Sequence, residues 1–247
     1  MALQTVFQRY ELKYLLTNAQ KEALLGAMAP YMALDQYGRT TIRNLYYDTD
    51  TYLLIRRSIE KPVYKEKLRI RSYSRADADS TVFVELKKKY KHIVYKRRIS
   101  LPNQEAMAWL SGETHRDPRT QIAKEIDYAL TLYGTLHPTV FLSYEREAYY
   151  ANEGSDFRVT FDDNILCRQH DLSLESEVYG TPILPEGKVL MEIKCSGGIP
   201  LWMTQVLSKE KIYKTSFSKY AAAYGMLIFP QTHNVNPYHM LEVATNA

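Results

Sequence analysis

The chain has 247 residues, 45 % of them hydrophobic and 24 % charged, with a formal net charge of +4. That length and composition support a substantial buried core and exclude an intrinsically disordered or collagen-like chain. Two cysteines, Cys167 and Cys195, sit outside any CxxC or Cys/His cluster, which excludes a disulfide-stapled scaffold and a thiolate metal site.

Met1 to Gln8 carries no apolar signal core, and no stretch approaches the roughly 18 apolar residues of a membrane span. A cytoplasmic protein is the expectation. Phe7 to Leu15 alternates as a strand. Thr17-Asn18-Ala19-Gln20 reads as a capping box, and Ala23, Leu24, Ala27 and Met28 give the following helix its apolar stripe. Thr41 to Asp48 is the next strand, and Tyr52 to Ser58 a short helix.

Three strands follow in close succession: Tyr64 to Tyr73, Thr81 to Lys89 and Ile93 to Ile99. Their short links predict antiparallel neighbours. Asn103 to Leu110 and Arg119 to Tyr133 read as helices, the second with Ile122, Ile126, Ala129 and Leu130 at helical spacing. Strands resume at Thr139 to Arg146, Phe157 to Asp162 and Val189 to Cys195, and Leu201 to Leu227 reads as mostly helical. The pattern predicts an α+β fold of about eight mostly antiparallel strands, one domain over residues 1–230, and a weakly patterned C-terminal tail over 231–247.

The polar strand faces are unusual. Successive strand residues point to opposite faces. Val82, Val84 and Leu86 oppose Phe83, Glu85, Lys87 and Lys89; Leu68 and Ile70 oppose Lys67, Arg69 and Arg71. Val189, Met191, Ile193 and Cys195 oppose Glu192 and Lys194, and Phe157, Val159 and Phe161 oppose Arg158, Thr160 and Asp162. Arg9, Glu11 and Lys13 share a face, as do Lys96 and Arg98, and Arg146 ends the face begun by Val140. A solvated face is the plain alternative, but such faces mix Thr, Ser, Gln and Glu. Here almost every strand repeats Arg or Lys.

If eight strands close into a barrel with the apolar face outward under the helices, the charged face lines a lumen. About nine cations would meet about four carboxylates there. Such a lumen suits a polyanion, because Arg offers bidentate forks to phosphate oxygens and Lys offers point charges. The carboxylates would be counter-ions or ligands for Mg²⁺ or Mn²⁺. Parity places Lys87 and Lys89 inward and Lys88 outward. Cations spread over many strands fit an internal site better than a nucleic-acid stripe. The histidines show no metalloprotease or triad spacing. Trp109 and Trp202 read as packing residues, and no phosphate-binding GxxxxGK[ST] loop exists.

At these positions the chain resembles a known family. Arg9-Tyr10-Glu11-Leu12-Lys13-Tyr14, Asn44-Leu45-Tyr46-Tyr47-Asp48-Thr49, Lys65-Glu66-Lys67-Leu68-Arg69-Ile70-Arg71-Ser72-Tyr73, Val84-Glu85-Leu86-Lys87-Lys88-Lys89, Tyr95-Lys96-Arg97-Arg98, Ser143-Tyr144-Glu145-Arg146, Arg158-Val159-Thr160-Phe161-Asp162, Met191-Glu192-Ile193-Lys194 and Ser216-Phe217-Ser218-Lys219-Tyr220 occur in this order. Together they resemble the VTC domain, the polyphosphate-polymerase domain of the vacuolar transporter chaperone complex, within the triphosphate tunnel metalloenzymes.

The resemblance implies an eight-stranded antiparallel β-barrel tunnel with helices outside. It implies ATP as donor, inorganic polyphosphate as acceptor and product, pyrophosphate as a further ligand, and Mn²⁺ or Mg²⁺ as cofactor. It also implies that Lys13, Arg69, Arg71, Lys87, Lys96, Arg98, Arg146, Arg158 and Lys219 grip phosphates, with Lys89 and Lys194 on the same faces. Glu192 matches the family's metal-binding glutamate, and Glu11 and Glu85 match acidic positions that help place the metal. The small tunnel enzymes open on an ExExK signature. Here Arg9 replaces its first Glu, which argues against the plain triphosphatase branch. The SPX domain and membrane spans of the eukaryotic complex are not seen in the sequence, so a standalone cytoplasmic catalyst, or one docked on a separate membrane protein, is expected. A triphosphatase or polyphosphatase on the same scaffold, and a non-catalytic polyphosphate-binding module, stay open as alternatives.

Overall fold

Alternation followed by a capping box dictates the first two elements. In the computed structural model, which describes residues 10–91, 93–114 and 120–230, β1 (Tyr10–Thr17) runs directly into α1 (Asn18–Met28). Thr17 Oγ1 accepts the Gln20 N–H at 3.2 Å, and Gln20 Oε1 accepts the Thr17 N–H at 2.9 Å. These reciprocal bonds satisfy two donors that the helix start would otherwise orphan.

The chain continues through β2 (Met32–Leu34), β3 (Thr40–Asp48), α2 (Leu53–Glu60), β4 (Tyr64–Ser72), β5 (Thr81–Tyr90), β6 (Ile93–Pro102), α3 (Asn103–Leu110) and α4 (Gln121–Tyr133). Then come β7 (His137–Ala151), β8 (Arg158–Arg168), β9 (Thr181–Pro182), β10 (Lys188–Cys195), α5 (Leu201–Lys209), β11 (Lys214–Thr215) and α6 (Lys219–Ala223), the last extended by a π-helical turn, Tyr224–Ile228. Tyr52, the residue before α2, lies at φ 56 and makes no side-chain cap. Asp48 does that work from β3: its carboxylate accepts the Leu54 and Ile55 N–H groups at 2.8 and 2.9 Å.

The described chain divides into two compact units. The first comprises Ile42–Ser143 and Cys167–Thr181. There β5 pairs antiparallel with both β4 and β6. The apolar face reads as expected: Leu68, Ile70, Val82, Val84 and Leu86 pack with Ala106, Trp109 and Leu110 of α3 and Ala123, Ile126 and Ala129 of α4. Trp109 is a packing residue whose indole donates to Asp127 Oδ1 at 2.7 Å, so its polar end is not stranded.

Arg168 holds the end of this unit. It is 2 % exposed, and its guanidinium lies 3.7 Å from the Phe141 ring centroid and 4.2 Å from that of Tyr179. It donates to the carbonyls of His170, Asp171, Glu177 and Tyr179. Gly180 closes the same segment at φ +145, where an added Cβ would meet the Cys167 carbonyl oxygen at 2.5 Å.

The second unit contains, among the described residues, 10–41, 144–166 and 182–230. β10 pairs antiparallel with β1 on one side and β8 on the other. Tyr14, Leu16, Phe157, Val159, Phe161, Val189, Met191 and Ile193 pack beneath Leu24 and Met28 of α1 and Met203 and Leu207 of α5. Both cysteines are buried and free.

The architecture is the expected α+β class, an antiparallel sheet with helices on its apolar face. Its details correct the barrel expectation: among the described residues there are eleven strands, not eight, and their hydrogen-bonded order does not close on itself. The extra strands are pieces of two or three residues laid along longer neighbours, β2 on β7, β9 on β8 and β11 on β1. Pieces that short have no alternation to read, yet they still satisfy backbone donors. The expected helix over Leu201 to Leu227 breaks after α5, where Lys211 turns left-handed at φ 54. The expected tail at 231–247, together with Arg9, His92 and Arg119, lies outside the described residues. No described helix is long and apolar enough to cross a membrane.

Candidate active site

Ladder register turns strand alternation into rows of side chains. In the first unit one row is Tyr46, Arg69, Glu85 and Arg98, and the next is Asn44, Arg71, Phe83 and Ser100. On the other side of the first row lie Lys67, Lys87 and Lys96, then Lys65, Lys89 and Val94. All of these alternate with the apolar residues of the core.

Glu85 is the centre of this face and is 1 % exposed. Arg69 donates to its Oε2 through Nε and Nη2 at 2.9 and 2.7 Å. Lys96 Nζ lies 2.6 Å from Oε1, Arg98 Nε 3.6 Å from Oε1, and Arg71 Nε 3.9 Å from Oε2. Burial alone would push this carboxyl up; Arg69, Arg71 and Lys96 outweigh it and hold it well below the usual carboxylate range. Burial, with Arg71 and Arg69 close by, brings Lys96 down to about 7 against the pull of Glu85. The Lys96 side chain is still 43 % exposed, so water screens part of that shift.

Two neighbours fix the arginines. Arg71 Nε donates to Asn44 Oδ1 at 2.9 Å, while Asn44 Nδ2 donates to the Leu142 carbonyl at 3.0 Å. The amide therefore has one orientation, and Arg71 is held by it. Arg69 Nη1 donates to the Tyr46 hydroxyl at 2.8 Å. Arg98 lies flat over Phe83, 3.5 Å from the ring centroid.

The second unit has its own charged face. Lys13, Glu192 and Thr160 form one row, and Glu11, Lys194 and Arg158 the next. Beside them, Arg146 grips Asp162 with a two-pronged bond, Nε to Oδ1 and Nη2 to Oδ2, both at 2.6 Å. Lys219 Nζ adds a bond to Asp162 Oδ2 at 2.5 Å. Ser218 places that lysine at the start of α6, its hydroxyl accepting the Ala221 N–H. Burial raises the Asp162 carboxyl, but Arg146 and Lys219 prevail and lower it. Burial likewise lowers Lys219, but Asp162 and Glu192 raise it further.

Glu192 is held differently. Lys194, Lys13, Lys219 and Arg146 approach its carboxylate only to 3.3, 3.5, 3.6 and 3.7 Å. Burial opposes its charge, yet these cations hold it well below the usual range. Lys13 spends its shortest bond on the Phe217 carbonyl, at 2.8 Å. Arg158 stacks on Tyr150, 4.7 Å from the ring centroid.

The sequence candidates thus fall into two groups. Arg69, Arg71, Lys96 and Arg98 gather on Glu85, with Lys87 and Lys89 on the same face of β5. Lys13, Arg146, Lys194 and Lys219 gather on Glu192, with Arg158 in the adjacent row. Glu11 is at the margin, 3.5 Å from Lys13 and 26 % exposed in its side chain. Lys88 points away, as parity predicts, and pairs with Glu125 at 3.2 Å. Asp162, Asn44 and Tyr46 are not among the sequence candidates. Asp162 carried a signal, two residues beyond Thr160 on the face of Arg158, but nothing local names its partners.

The family resemblance implies a divalent metal, and the donors can be tested for it. Among the described residues no three His, Cys, Asp or Glu side chains cluster to form a metal cage. Magnesium-type ions are commonly held by one or two carboxylates together with substrate phosphates. Asp162 and Glu85 are tied by close cation contacts at 2.5–2.9 Å. Glu192 has the looser ring of cations, at 3.3–3.7 Å.

Comparison with known proteins identifies the family and the fold. The family model of the VTC domain matches residues 8–228. A candidate adenylate cyclase from Bacillus halodurans superposes with a TM-score of 0.52 at 15 % identity, covering 85 % of this chain and 94 % of that one. A candidate adenylyl cyclase from Hippeastrum with a dominant triphosphatase activity superposes with a TM-score of 0.50 at 19 % identity, covering 86 % and 93 %. These two likenesses speak for the fold alone. No curated protein matches the chain in sequence.

Proposed function

The chain belongs to the VTC domain family, and from that premise we propose that it transfers the terminal phosphoryl group of ATP to a growing inorganic polyphosphate chain, with a divalent cation. The observation that carries this reading is charge imbalance. On the charged face of β4–β6, Lys65, Lys67, Arg69, Arg71, Lys87, Lys89, Lys96 and Arg98 share the described residues of these three strands with one carboxylate, Glu85. Arrays of that sign repel themselves when empty and are neutralised by an oligophosphate.

Phosphoryl transfer needs positioning and charge neutralisation more than covalent help. Arg69 and Arg71, oriented by Glu85, Tyr46 and Asn44, present forks to phosphate oxygens. Arg146, oriented by Asp162, does the same in the second unit, with Lys13, Arg158, Lys194 and Lys219 adding charge. Mn²⁺ or Mg²⁺, held by Glu192 and substrate phosphates, would neutralise developing charge. A terminal phosphate acceptor is already ionised, so no side chain has to remove a proton from it.

Incubation with ATP and Mn²⁺ tests the reading. We expect a ladder of polyphosphate on a gel together with ADP. Free phosphate without a ladder would instead make the chain a hydrolase, in line with the activity of the Hippeastrum protein. Tight polyphosphate binding with neither product would make it a binding module.

A further inference from the structure

The outer side of the first unit, opposite its charged strand face, carries apolar side chains that nothing covers. On α4, Lys124, Tyr128 and Leu132 recur at four-residue spacing, opposite the stripe of Ala123, Ile126 and Ala129 that packs on the sheet. Val63 and Tyr64 lie open at the start of β4, and Tyr90 faces Tyr64 across the β4–β5 ladder. Glu66 holds these pieces together. It is buried and accepts hydrogen bonds from the Tyr64 hydroxyl and, at 2.7 Å, from the Tyr133 hydroxyl of α4. Burial, Glu66, Tyr133 and Tyr128 all raise the Tyr64 pKa, as expected for a ring lying against α4. Lys65 Nζ donates to the Ser58 carbonyl at 2.8 Å, which brings the last turn of α2, with Ile59, to the same place.

Ile59, Val63, Tyr64, Tyr90, Tyr128 and Leu132 are 39–64 % exposed. Single exposed apolar residues are ordinary, but a contiguous set marks a contact surface. The first residues of β4, Tyr64 to Lys67, run beyond the β3–β4 ladder, and charge guards such edges. Guarding explains lysines there, but it does not explain the uncovered rings and aliphatic groups. Arg56, Lys61, Lys91 and Lys124 surround the set, all exposed. Lys91 donates its N–H to the Val63 carbonyl at 3.1 Å, and its ammonium lies 5.4 Å from the Tyr90 ring centroid. Among the described residues of α2 and α4, one carboxylate is exposed, Glu60.

We propose that this face docks the protein peripherally on an anionic lipid bilayer, with Val63, Tyr128 and Leu132 entering the interface and the surrounding cations meeting the headgroups. Tyrosine suits a boundary where one end of the side chain is apolar and the other wet. Lysine is depleted from protein–protein interfaces, whereas each Lys or Arg adds attraction to a negatively charged membrane. That mixture favours a lipid surface over a second protein.

Co-sedimentation with vesicles tests the inference, using phosphatidylcholine alone and phosphatidylcholine mixed with phosphatidylserine. Wild-type protein should sediment with the mixed vesicles, and less so as salt rises. Tyr128→Ser/Leu132→Ser should weaken that binding on the order of 10-fold while leaving the unfolding temperature unchanged. Lys61→Gln/Lys91→Gln should weaken it by a similar factor for the mixed vesicles only. Wild-type protein that stays in solution with the mixed vesicles would overturn the proposal. So would binding that survives the serine variant, which would assign it to the charged strand faces. A dimer of the wild type in sedimentation velocity, lost in the serine variant, would give the face to a second copy and overturn it as well.

Discussion

Replacing Asp162 by asparagine is expected to destabilise the folded protein by about 3–5 kcal/mol, because it leaves Arg146 and Lys219 buried with much of their charge unanswered. Side-chain exposures of 12 % for Arg146 and 10 % for Lys219 allow water to offset little of that loss. Thermal unfolding measures it. The pH dependence gives a second, independent reading. The carboxyl sits below its usual value near 3.8 in the folded protein. Below that value the unfolded chain binds a proton that the folded chain refuses, so stability falls as pH falls through the window. The wild-type protein should lose stability on this limb, and Asp162→Asn should show a flatter one. Activity should fall with stability, and tripolyphosphate should restore part of it by supplying the missing negative charge. An asparagine variant as stable and as acid-sensitive as the wild type would remove Asp162 from its positioning role.

The second large effect is expected at Arg71. It is 7 % exposed and its guanidinium is aimed by Asn44. Arg71→Ala should lower kcat/KM for ATP-dependent chain extension by on the order of 10²-fold or more, about 2.7 kcal/mol of transition-state stabilisation. Arg71→Lys should recover only part of this, since an ammonium restores charge but not the planar fork. Far-ultraviolet circular dichroism should remain that of the folded protein in both variants. Near wild-type synthesis by Arg71→Ala would exclude the guanidinium from the reaction.

Much of this architecture was legible because chemistry differs so sharply between the strand faces. Val82, Val84 and Leu86 against Glu85, Lys87 and Lys89 fixes which way β5 faces, and the Lys88–Glu125 pair agrees with that parity. The capping box at Thr17 and Gln20 was legible for the same reason, being wholly local. What depends on distant partners was not. Asp162 could be placed on a face, but its pairing with Lys219, 57 residues away, is made by tertiary structure. Arg168 looks like any strand-end arginine in the sequence, yet it is buried between two aromatic rings. The distinction between Glu192, loosely ringed by cations, and the tightly bound Glu85 and Asp162 is one of a few tenths of an ångström to about an ångström. Spacing in a sequence carries no such information.

The most direct measurement is thermal unfolding of the wild-type protein in low salt, with increasing inorganic tripolyphosphate and without added metal. Self-repelling charged faces that take a phosphate chain should be stabilised by it, by about 2.7 kcal/mol at a hundredfold excess over Kd. The gain should shrink as salt rises. An unfolding temperature that stays fixed across the titration at low salt would contradict a phosphate-binding role for the Glu85 and Glu192 clusters.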